Sequence, residues 1–392
     1  RRVKAAVPCY GSGYNYDNRK KLWGFPPLTG DLALFKQTLS PEAHAPYVTC
    51  PILHLNATND FHAWMDASYE TLSAAKGPTR QAFTPRYNHH IEPEQGANLE
   101  RWMDWHLRGG RPFPKTPVLA VRLGNDGVPR AVLSSDGAES VKRVDVYYTL
   151  GDKLPPARFW RSAEVSRQGG KWEATLPVVY VWDSVYAFAN VLYDSGVCLT
   201  SNLKGFVPGQ LGKARATLAW TPALEHGPTG LENWYYTHAY TDPNITLTYL
   251  RTGKETGIGH YLTLNPELFG EKMEFNLSTH ILGDPQHQGK PGMALSFRCR
   301  GDFAESGLIV SVVENDWGPR SKTYSATVKK EELGSGWRNV VLPLSRFVSE
   351  DGKTPESWGV LDRLQIAGAT TAQGPPGFAQ FRWVEVGQAA SK

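Results

Sequence analysis

Apolar runs alternate with helical periodicities over the first part of the chain. Short apolar runs of the kind found in buried strands occupy residues 3–8 and 50–55, and a further strand is predicted at 80–84. Helices are predicted over residues 66–76 and 94–108, where apolar side chains recur at helical spacing. This alternation of strands and helices indicates an α/β arrangement.

The helix predicted over residues 94–108 is amphipathic and is expected to close this first region. Its apolar face carries Leu99, Trp102, Met103 and Leu107. Because such a face is usually buried, we expect these side chains to pack on one side. Gly109 follows the helix, and a glycine in this position typically ends a helix in the left-handed conformation.

After residue 112 the helical pattern ends, and short strands dominate. In residues 113–210 strands are predicted at 118–121, 143–148, 172–176 and 186–191. Their spacing is typical of an immunoglobulin-like or fibronectin-like β-sandwich. In residues 211–392 longer alternating strands are predicted at 245–250, 273–280, 293–299, 308–314, 339–344, 361–367 and 378–386. That number of strands favours a jelly-roll.

The predicted fold class is therefore multi-domain: a partial α/β domain followed by two all-β sandwich domains. The predicted domains are residues 1–112, 113–210 and 211–392. The length of 392 residues agrees with several domains, because a domain usually contains about 100–200 residues. Glycine (38 residues) and proline (28 residues) are abundant, as expected for a turn-rich β protein.

Composition and charge exclude several classes of protein. A hydrophobic fraction of 41% with 20% charged residues is that of a globular chain, not of a disordered one. The formal charge of +4 is too small to predict a nucleic-acid partner. No apolar stretch approaches the ~18 residues that a membrane span requires. The chain begins with Arg1 rather than methionine, so we expect any signal peptide to be gone.

Four cysteines are scattered along the chain: Cys9, Cys50, Cys198 and Cys299. They show no C-x-x-C spacing, which argues against a zinc site and against a dense disulfide framework. We therefore expect four unpaired, buried thiols, and we expect neither a metal nor another cofactor.

Residues with catalytic potential follow two of the predicted strands. Asp60 comes shortly after the strand at 50–55, and His89 lies in the loop after the strand at 80–84. An acid followed along the chain by a histidine matches the last two members of a triad with the order nucleophile, acid, histidine. In such a triad the carboxylate orients the imidazole, which accepts and then returns a proton.

These residues resemble the C-terminal half of the α/β-hydrolase fold, within its acetyl-xylan-esterase and dienelactone-hydrolase-like branch. The resemblance rests on residues 2–8, on the acid turn at 58–60 and on the histidine loop at 88–90. It covers about 110 of the 392 residues, and Asn56 stands where many relatives have glycine. It implies that Asp60 and His89 are the acid and the base of a serine-type esterase.

Other interpretations of the same residues stay open. Only one of His89 and His90 can face the acid, because adjacent side chains of an extended segment point in opposite directions; we predict His89. Asp60 is alternatively a solvated turn residue. The two histidines are alternatively metal ligands together with Glu92 or Glu94.

A nucleophile motif is missing from the chain. In G-x-S-x-G the serine lies at a sharp strand-to-helix turn, beside backbone N–H groups that hold the oxyanion. No serine here has glycine at both the second preceding and the second following position. Ser12 is the nearest approach, but the residues after it do not predict a helix. We therefore expect the nucleophile on a segment preceding Arg1 or on a second chain.

The last region resembles carbohydrate-binding jelly-rolls through its strands at 337–344, 361–366 and 381–385. Core packing is the expectation for each aromatic residue that is a candidate for stacking on sugars: Trp234, Tyr235, Tyr236 and Trp317. A solvated loop is the expectation for the acidic residues that are candidates for calcium: Asp302, Glu314 and Asp316.

Two functional hypotheses result. The first is a serine-type carboxylic-ester hydrolase, periplasmic or secreted, that acts on a small-molecule or polysaccharide ester and uses Asp60 and His89. The second is a non-catalytic glycan-binding or scaffold protein, in which a degenerate hydrolase remnant supports the β-sandwiches. Neither hypothesis involves a nucleic acid, a membrane span or a cofactor.

Overall fold

A computed structural model of the chain describes residues 3–14, 30–169, 171–237, 249–268, 273–318, 320–371 and 374–387. The chain divides into two compact units, Arg1–Leu218 and Ala219–Lys392. Over the described residues, most regular structure is β-strand, arranged in five sheets. Within the same residues, no helix is long and apolar enough to cross a membrane.

Helices occur in the first half of the first unit. They are α1 Leu32–Thr38, α2 Pro41–His44, α3 Met65–Ala74, α4 Pro93–Gly96 and α5 Asn98–Arg108. Two strands lie among them, β1 Ile52–Ala57 and β2 Thr79–Thr84, and they pair in parallel over their full length. The strands predicted at 50–55 and 80–84 are thus present with slightly different ends.

Residues 3–10 run parallel to β1 without forming a continuous strand. Parallel bridges to β1 form at Ala6 and Cys9. Between them, the carbonyl of Pro8 accepts a hydrogen bond from the N–H of Leu55 (3.0 Å), but Pro8 has no N–H to donate in return. The predicted strand is therefore interrupted at its proline.

The apolar face predicted for the helix at 94–108 is only partly buried. The helix is split into α4 and α5, and its contact with the core is made by Trp102 and Asn98, both fully buried. Leu99 and Leu107 are instead 40% and 52% exposed. The prediction was wrong for these leucines because α5 faces the core through a tryptophan and an asparagine.

Asn98 can be buried at the start of α5 because its side-chain amide is hydrogen-bonded to backbone groups of a neighbouring strand. Its Nδ2 donates to the carbonyl of Cys198 (2.5 Å), and its Oδ1 accepts from the N–H of the same residue (3.1 Å). At the other end, Gly109 adopts a left-handed conformation with φ +73°, as predicted for a glycine that ends a helix.

The rest of the first unit is a β-sandwich. Its strands are β3 Val118–Leu123, β4 Pro129–Ser134, β5 Val141–Leu150, β6 Arg161–Ala163, β7 Val165–Gln168, β8 Lys171–Thr175, β9 Val185–Tyr193, β10 Cys198–Thr200 and β11 Lys204–Phe206. One sheet has the order β10-β9-β5-β6, with β11 also paired to β9, and the other has the order β3-β4-β8-β7. The strands predicted between 118 and 191 are present as β3, β5, β8 and β9.

One hydrophobic core joins the α/β part of the first unit to its sandwich. Buried side chains of both parts belong to it, among them Leu53, Leu55, Trp102, Leu119, Val146 and Val191. The boundary predicted at residue 112 therefore falls inside a compact unit.

Side chains of the sandwich cover the free edge of β2. The Oγ1 of Thr200 accepts a hydrogen bond from the N–H of Phe83 (2.7 Å), and the Nδ2 of Asn190 donates to the carbonyl of Phe83 (3.0 Å). Gln81 in turn donates from Nε2 to the carbonyl of Thr200 (3.1 Å). Backbone groups that an edge strand leaves open are satisfied in this way.

The second unit is a β-sandwich of two five-stranded sheets. Its strands are β12 Tyr235–Tyr236, β13 Leu250–Glu255, β14 Gly259–Leu264, β15 Met273–Thr279, β16 Met293–Arg300, β17 Phe303–Glu314, β18 Lys322–Val328, β19 Arg338–Pro343, β20 Leu361–Thr370 and β21 Gly377–Glu385. The sheet orders are β12-β15-β20-β17-β18 and β13-β14-β21-β16-β19. The sheets meet through aromatic side chains such as Phe275 and Phe378, whose ring centroids are 5.7 Å apart.

The strands predicted for this last region are present, with one exception. Most of the strand predicted at 245–250 lies outside the described residues. Strands β12, β14 and β18 were not predicted. For the other strands, alternation of apolar and polar positions was informative because each sheet buries one face only.

Candidate acid–base site

The loops after β1 and β2 meet at one edge of the parallel pair. Because β1 and β2 run in the same direction, their carboxyl ends lie side by side. The N–H of Thr58 donates to the carbonyl of Thr84 (3.0 Å), and the N–H of Asn59 donates to the carbonyl of Tyr87 (2.9 Å). These bonds hold the acid turn against the histidine loop.

Asp60 and His89 are brought together by these loops. The Nδ1 of His89 lies 2.7 Å from the Oδ2 of Asp60. The other carboxylate oxygen, Oδ1, accepts the N–H groups of His62 (2.6 Å) and Ala63 (2.7 Å). Asp60 is completely buried, whereas the His89 side chain is 28% exposed. A carboxylate held in this way orients the imidazole ring through Nδ1 and leaves Nε2 for proton exchange.

Asn88 connects the two loops from the histidine side. Its Oδ1 accepts hydrogen bonds from the N–H of Phe61 (3.1 Å) and from the N–H of His89 (2.9 Å). One side-chain oxygen therefore determines how the residue after Asp60 and the backbone of His89 lie relative to each other.

Aromatic rings surround the imidazole of His89. The ring of Tyr10 is closest, with centroids 3.9 Å apart, and Phe61 and His62 follow at 5.4 and 5.6 Å. Burial, followed by the negative charge of Asp60, raises the pKa of Tyr10 to about 12. Tyr10 is therefore a neutral phenol at neutral pH, and it limits the orientations open to the His89 ring. Among the described residues, none forms a hydrogen bond to Nε2 of His89.

His90 points away from the acid. It is buried, its Nε2 lies 3.2 Å from the Oε1 of Glu92, and its ring is 5.3 Å from that of Tyr87. The two carboxylate oxygens of Glu94 instead accept hydrogen bonds from the guanidinium of Arg143 (2.8 and 2.9 Å). Over the part of the chain that the structure describes, no three His, Cys, Asp or Glu side chains are grouped as metal ligands.

His54 was not identified from the sequence, although it is a polar residue within an apolar strand. It is buried in β1, and its Nε2 lies 2.6 Å from the carbonyl of Gly11. Burial lowers the pKa of His54, so its neutral form is favoured. His54 thereby ties β1 to the loop that contains Ser12, which is itself buried.

The acid turn is also attached to the sandwich of the same unit. The Nδ2 of Asn59 donates to the carbonyls of Pro156 (3.0 Å) and Arg158 (2.8 Å). Both bonds join residues about a hundred positions apart in the sequence. The position of Asp60 therefore depends on the sandwich as well as on β1.

The cysteines are all free thiols, and their burial differs from the prediction. Cys198 and Cys299 are buried, Cys50 is partly buried and Cys9 is exposed, contrary to the expectation for that residue. Burial raises the pKa of Cys299 to about 12 and also raises the pKa of Cys198. The pKa of Cys9 is raised as well, because the neighbouring atoms partly shield its thiol from water although the residue as a whole is exposed. These three side chains are protonated at neutral pH and are poor nucleophiles.

In the second unit, the aromatic candidates for sugar stacking pack mainly against their neighbours. Tyr236 is buried, the ring of Trp234 is 4.7 Å from Phe381, and Tyr235 stacks on His280 at 5.6 Å. Trp317 is half-buried. Stacking platforms that are fully open to solvent are therefore not formed by these four residues.

The three acidic residues that were candidates for binding calcium each have a different hydrogen-bonding partner in the second unit. Asp316 is buried and lies 2.9 Å from the Nε2 of His280. Glu314 accepts a hydrogen bond from the hydroxyl of Tyr324 (2.8 Å), and Asp302 accepts one from Thr371. Each of these three carboxylates therefore interacts with another side chain of the second unit.

Comparisons with known proteins gave only remote structural similarities. No protein-family model matches the chain, and no curated protein sequence matches it. A family 11 carbohydrate-binding module from Clostridium thermocellum, in complex with a β-1,3-1,4-mixed-linked tetrasaccharide, shows 12% identity over 40% of this chain and 91% of its own, with a TM-score of 0.28. A family 30 carbohydrate-binding module of a cellulosomal cellulase of Clostridium thermocellum shows 11% identity over 43% and 95%, with a TM-score of 0.27.

A surface glycan-binding protein from Prevotella bryantii shows 10% identity over 70% of this chain and 77% of its own, with a TM-score of 0.25. At these TM-scores the fold of the chain rests on its own strand pairings rather than on the similarities.

Proposed function

We propose that this chain supplies the acid and the histidine of a serine-type carboxylic-ester hydrolase. The observation that carries the proposal is the 2.7 Å contact between Asp60 and His89 at the carboxyl edge of a parallel strand pair. The acid is buried and fixed by two backbone N–H groups, whereas the histidine is partly open to solvent.

The chemistry of this proposal assigns a role to each group. His89 accepts the proton of a serine hydroxyl at Nε2 as the serine attacks the ester carbonyl, and it then protonates the leaving alcohol. Asp60 stabilises the imidazolium through Nδ1 without taking its proton. Water activated by the same nitrogen releases the acyl group. The serine and its oxyanion hole come from a segment or a second chain outside residues 1–392, and the proposed location is outside the cytoplasm.

Activity-based labelling tests this proposal. Protein of natural length, isolated from its source, is treated with a fluorophosphonate probe, and the labelled peptide is identified by mass spectrometry. We expect a labelled serine outside residues 1–392, and we expect residues 1–392 alone to give no label and no acyl-enzyme burst with an aryl acetate. A label on Ser12 contradicts the assignment of the nucleophile, and the absence of label both from the natural-length protein and from every chain that copurifies with it contradicts the hydrolase proposal.

A matched pair of variants separates the two histidines in the natural-length protein. His89→Ala is expected to lower kcat for the aryl acetate by about 10⁴-fold or more, because triad members act as a unit. His90→Ala is expected to lower kcat less than tenfold, because His90 faces Glu92. Equal losses in both variants would show that loop folding, not proton transfer, was affected.

A second candidate function is the binding of a polysaccharide by residues 219–392. The observation that favours it is the outward face of the sheet β12-β15-β20-β17-β18, which carries the half-buried polar side chains of Asn276, Gln365 and Ser325. Such groups match the hydroxyl groups of a sugar. Affinity electrophoresis of the full chain in gels that contain plant or algal polysaccharides tests this function, and retardation by at least one of them is expected.

A further inference from the structure

The backbone of Tyr10 has a conformation that is unusual for a residue with a side chain. Its φ of +54° lies in the left-handed region, where a Cβ is crowded and glycine is favoured. A residue keeps such a conformation only where the surrounding structure imposes it, and conformations of this kind occur often at functional sites. The contacts of Tyr10 with its neighbours indicate what this conformation achieves.

Hydrogen bonds to β1 fix the backbone on both sides of Tyr10. The N–H of Tyr10 donates to the carbonyl of Leu55 in β1 (3.0 Å). The carbonyl of the next residue, Gly11, lies 2.6 Å from the Nε2 of His54, which also belongs to β1. Because β1 leads directly into the acid turn, the same strand positions both Tyr10 and Asp60.

The ring of Tyr10 lies against the imidazole of His89. The two ring centroids are 3.9 Å apart and the ring planes are tilted by 31°, so the rings meet face to face rather than edge to face. The backbone N–H of Ile91 also interacts with the hydroxyl of Tyr10. Tyr10 therefore forms a flat wall along one face of the imidazole.

The backbone of the histidine loop is held by groups other than Tyr10. The N–H of Arg86 donates to the Oγ1 of Thr58 (2.7 Å), and the Oδ1 of Asn88 accepts the N–H of His89 (2.9 Å). These bonds determine the path of the loop but do not involve the imidazole ring. The rotation of the His89 side chain therefore depends on the contacts of the ring itself.

A single hydrogen bond orients the imidazole from the side of the acid. Asp60 contacts Nδ1 of His89 (2.7 Å), and the His89 side chain is 28% exposed. A hydrogen bond to one ring atom allows the ring to pivot about that atom, whereas a flat neighbour along the ring face opposes the rotation. Phe61 and His62 lie farther from the imidazole than Tyr10 does, with centroids at 5.4 and 5.6 Å.

We propose that Tyr10 is a positioning residue, whose ring holds the imidazole of His89 so that Nδ1 stays on Asp60 and Nε2 stays open for proton exchange. This inference rests on the first proposed function, because it names a residue that the proposed proton transfer requires. It also gives the left-handed conformation of residue 10 a role, since that conformation accompanies the placement of the ring over the histidine loop.

NMR spectra of the imidazole rings in the full chain test the proposal. Two-bond ¹H–¹⁵N correlation spectra, recorded up to pH 9, show which nitrogen of the neutral His89 ring carries the proton, and a His89→Gln variant assigns the signals. In the parent chain we expect the proton on Nδ1, because a carboxylate only accepts hydrogen bonds. Tyr10→Gly is expected to lose this preference and to show the Nε2–H tautomer that free histidine favours in water.

Matched variants separate the ring of Tyr10 from its backbone. Glycine adopts a positive φ readily, so Tyr10→Gly removes the ring and relieves the backbone. Asparagine also tolerates this conformation, so Tyr10→Asn repeats the test if the glycine variant does not fold. Tyr10→Phe keeps the ring and is expected to keep the proton on Nδ1.

Tyr14→Gly is the control for these variants. Tyr14 also has a positive φ (+61°), but it is exposed, and its N–H donates to the Oε2 of Glu42 (3.1 Å). We expect this substitution to leave the tautomer of His89 unchanged. Circular dichroism of each variant shows whether a change is due to unfolding.

Kinetics of the natural-length protein give a second readout. Tyr10→Gly is expected to lower kcat for the aryl acetate about 10²-fold with little change in KM, because a slightly misplaced catalytic group costs a rate of this order while the ester still binds. Tyr10→Phe should recover most of the parent kcat, because the ring alone restores the position of the imidazole.

The outcomes distinguish this inference from the function on which it rests. A proton that stays on Nδ1 in both Tyr10→Gly and Tyr10→Asn overturns the role of Tyr10, while the hydrolase proposal stands. A tautomer change in Tyr10→Phe as large as that in Tyr10→Gly overturns the role of the ring. A parent chain with the proton on Nε2 contradicts the contact between His89 and Asp60, and both proposals are then wrong. Failure of the serine labelling, with the expected tautomers observed, removes the hydrolase proposal alone.

Discussion

At the scale of single residues, the candidate site depends on more than the acid and the base. Neighbouring side chains position its loops through hydrogen bonds to backbone groups. Asn88 joins the histidine loop to the acid turn, and Asn59 joins the acid turn to the sandwich. From its position in β1, His54 forms a hydrogen bond to the carbonyl of Gly11 in the loop after residue 10. Each of these residues is buried or half-buried, and each makes its bond to a distant part of the chain.

Asn88→Ala is expected to loosen the acid turn. Two N–H groups, those of Phe61 and His89, lose their acceptor, and such a loss costs about 1–3 kcal/mol. Hydrogen exchange of the peptide that contains Phe61, followed by mass spectrometry on the full chain, should be roughly tenfold faster or more. Asn125→Ala, at an exposed turn, is the control and should leave this exchange unchanged.

His54 is expected to make the first unit less stable as the pH falls. Its pKa in the folded chain is lowered by burial from an ordinary value of 6.5. Below about pH 6.5 the unfolded chain therefore takes up a proton that the folded chain does not, and the free energy of unfolding falls with pH until the folded pKa is passed. The hydrogen bond to the Gly11 carbonyl and the nearby charge of Asp60 raise the pKa of His54, but both are smaller influences than burial.

Thermal melts between pH 5 and pH 8.5 check this expectation. His54→Gln keeps an N–H donor for Gly11 but does not titrate, so the drop in Tm toward pH 5 should be smaller than in the parent chain. The difference between the two proteins should be constant above pH 7.5. An equal drop in both proteins would contradict a role for His54.

At the scale of elements, strands and helices are completed by side chains from elsewhere in the same unit. β2 is an edge strand of the parallel pair, and its backbone is satisfied by Thr200 and Asn190 rather than by another strand. α5 begins at Asn98, which bonds the backbone of Cys198 in β10. The sandwich therefore takes the place that a further strand would have beside β2.

Thr200→Val is expected to destabilise the contact between β2 and the sandwich. The substitution keeps the shape of the side chain but removes the acceptor of the Phe83 N–H, which is buried, at a cost of about 1–3 kcal/mol. The melting temperature of the first unit should fall, and exchange of the Phe83 amide should rise. Thr252→Val, at an exposed position of β13, is the control and should have little effect.

At the scale of the whole molecule, the chain consists of two compact units that do not coincide with the three predicted domains. The α/β part and the first sandwich share one core, to which Leu53 and Trp102 contribute from one side and Val146 and Val191 from the other. The second unit has its own facing sheets. The division between the two units follows residue 218.

Excised fragments test this division. Residues 1–218 and 219–392 are each expected to fold and to unfold in one cooperative transition, because each is long enough to bury a sizeable core. Residues 1–112 are expected to stay unfolded or to aggregate, because their half of the common core would be open to water. Circular dichroism and calorimetry measure both results, and a folded 1–112 fragment would restore the boundary predicted from the sequence.

Local patterns predicted a large part of the fold and the two main residues of the candidate site. The alternation of apolar positions located β15, β16, β17, β19, β20 and β21 but missed β18, and it succeeded where a strand buries one face. Leu99 and Leu107 of α5 were wrongly predicted to be buried, since the same pattern does not say which side chains of a helix contact the core. Tyr10 and His54 were missed, because neither a tyrosine in a loop nor a lone histidine in a strand signals its partner.

The sequence by itself determined the positions of many strands and of the helices predicted at 66–76 and 94–108, the helix end at Gly109, and the presence of an acid and a histidine after two successive strands. These features depend on neighbours within a few residues. Only the tertiary structure decided that His89 rather than His90 meets Asp60, because Asn88 and the parallel pairing of β1 and β2 orient the loop. It also decided which residues of β15, β17 and β20 become neighbours, because strand register pairs residues that are far apart in the sequence, and no local pattern encodes that register.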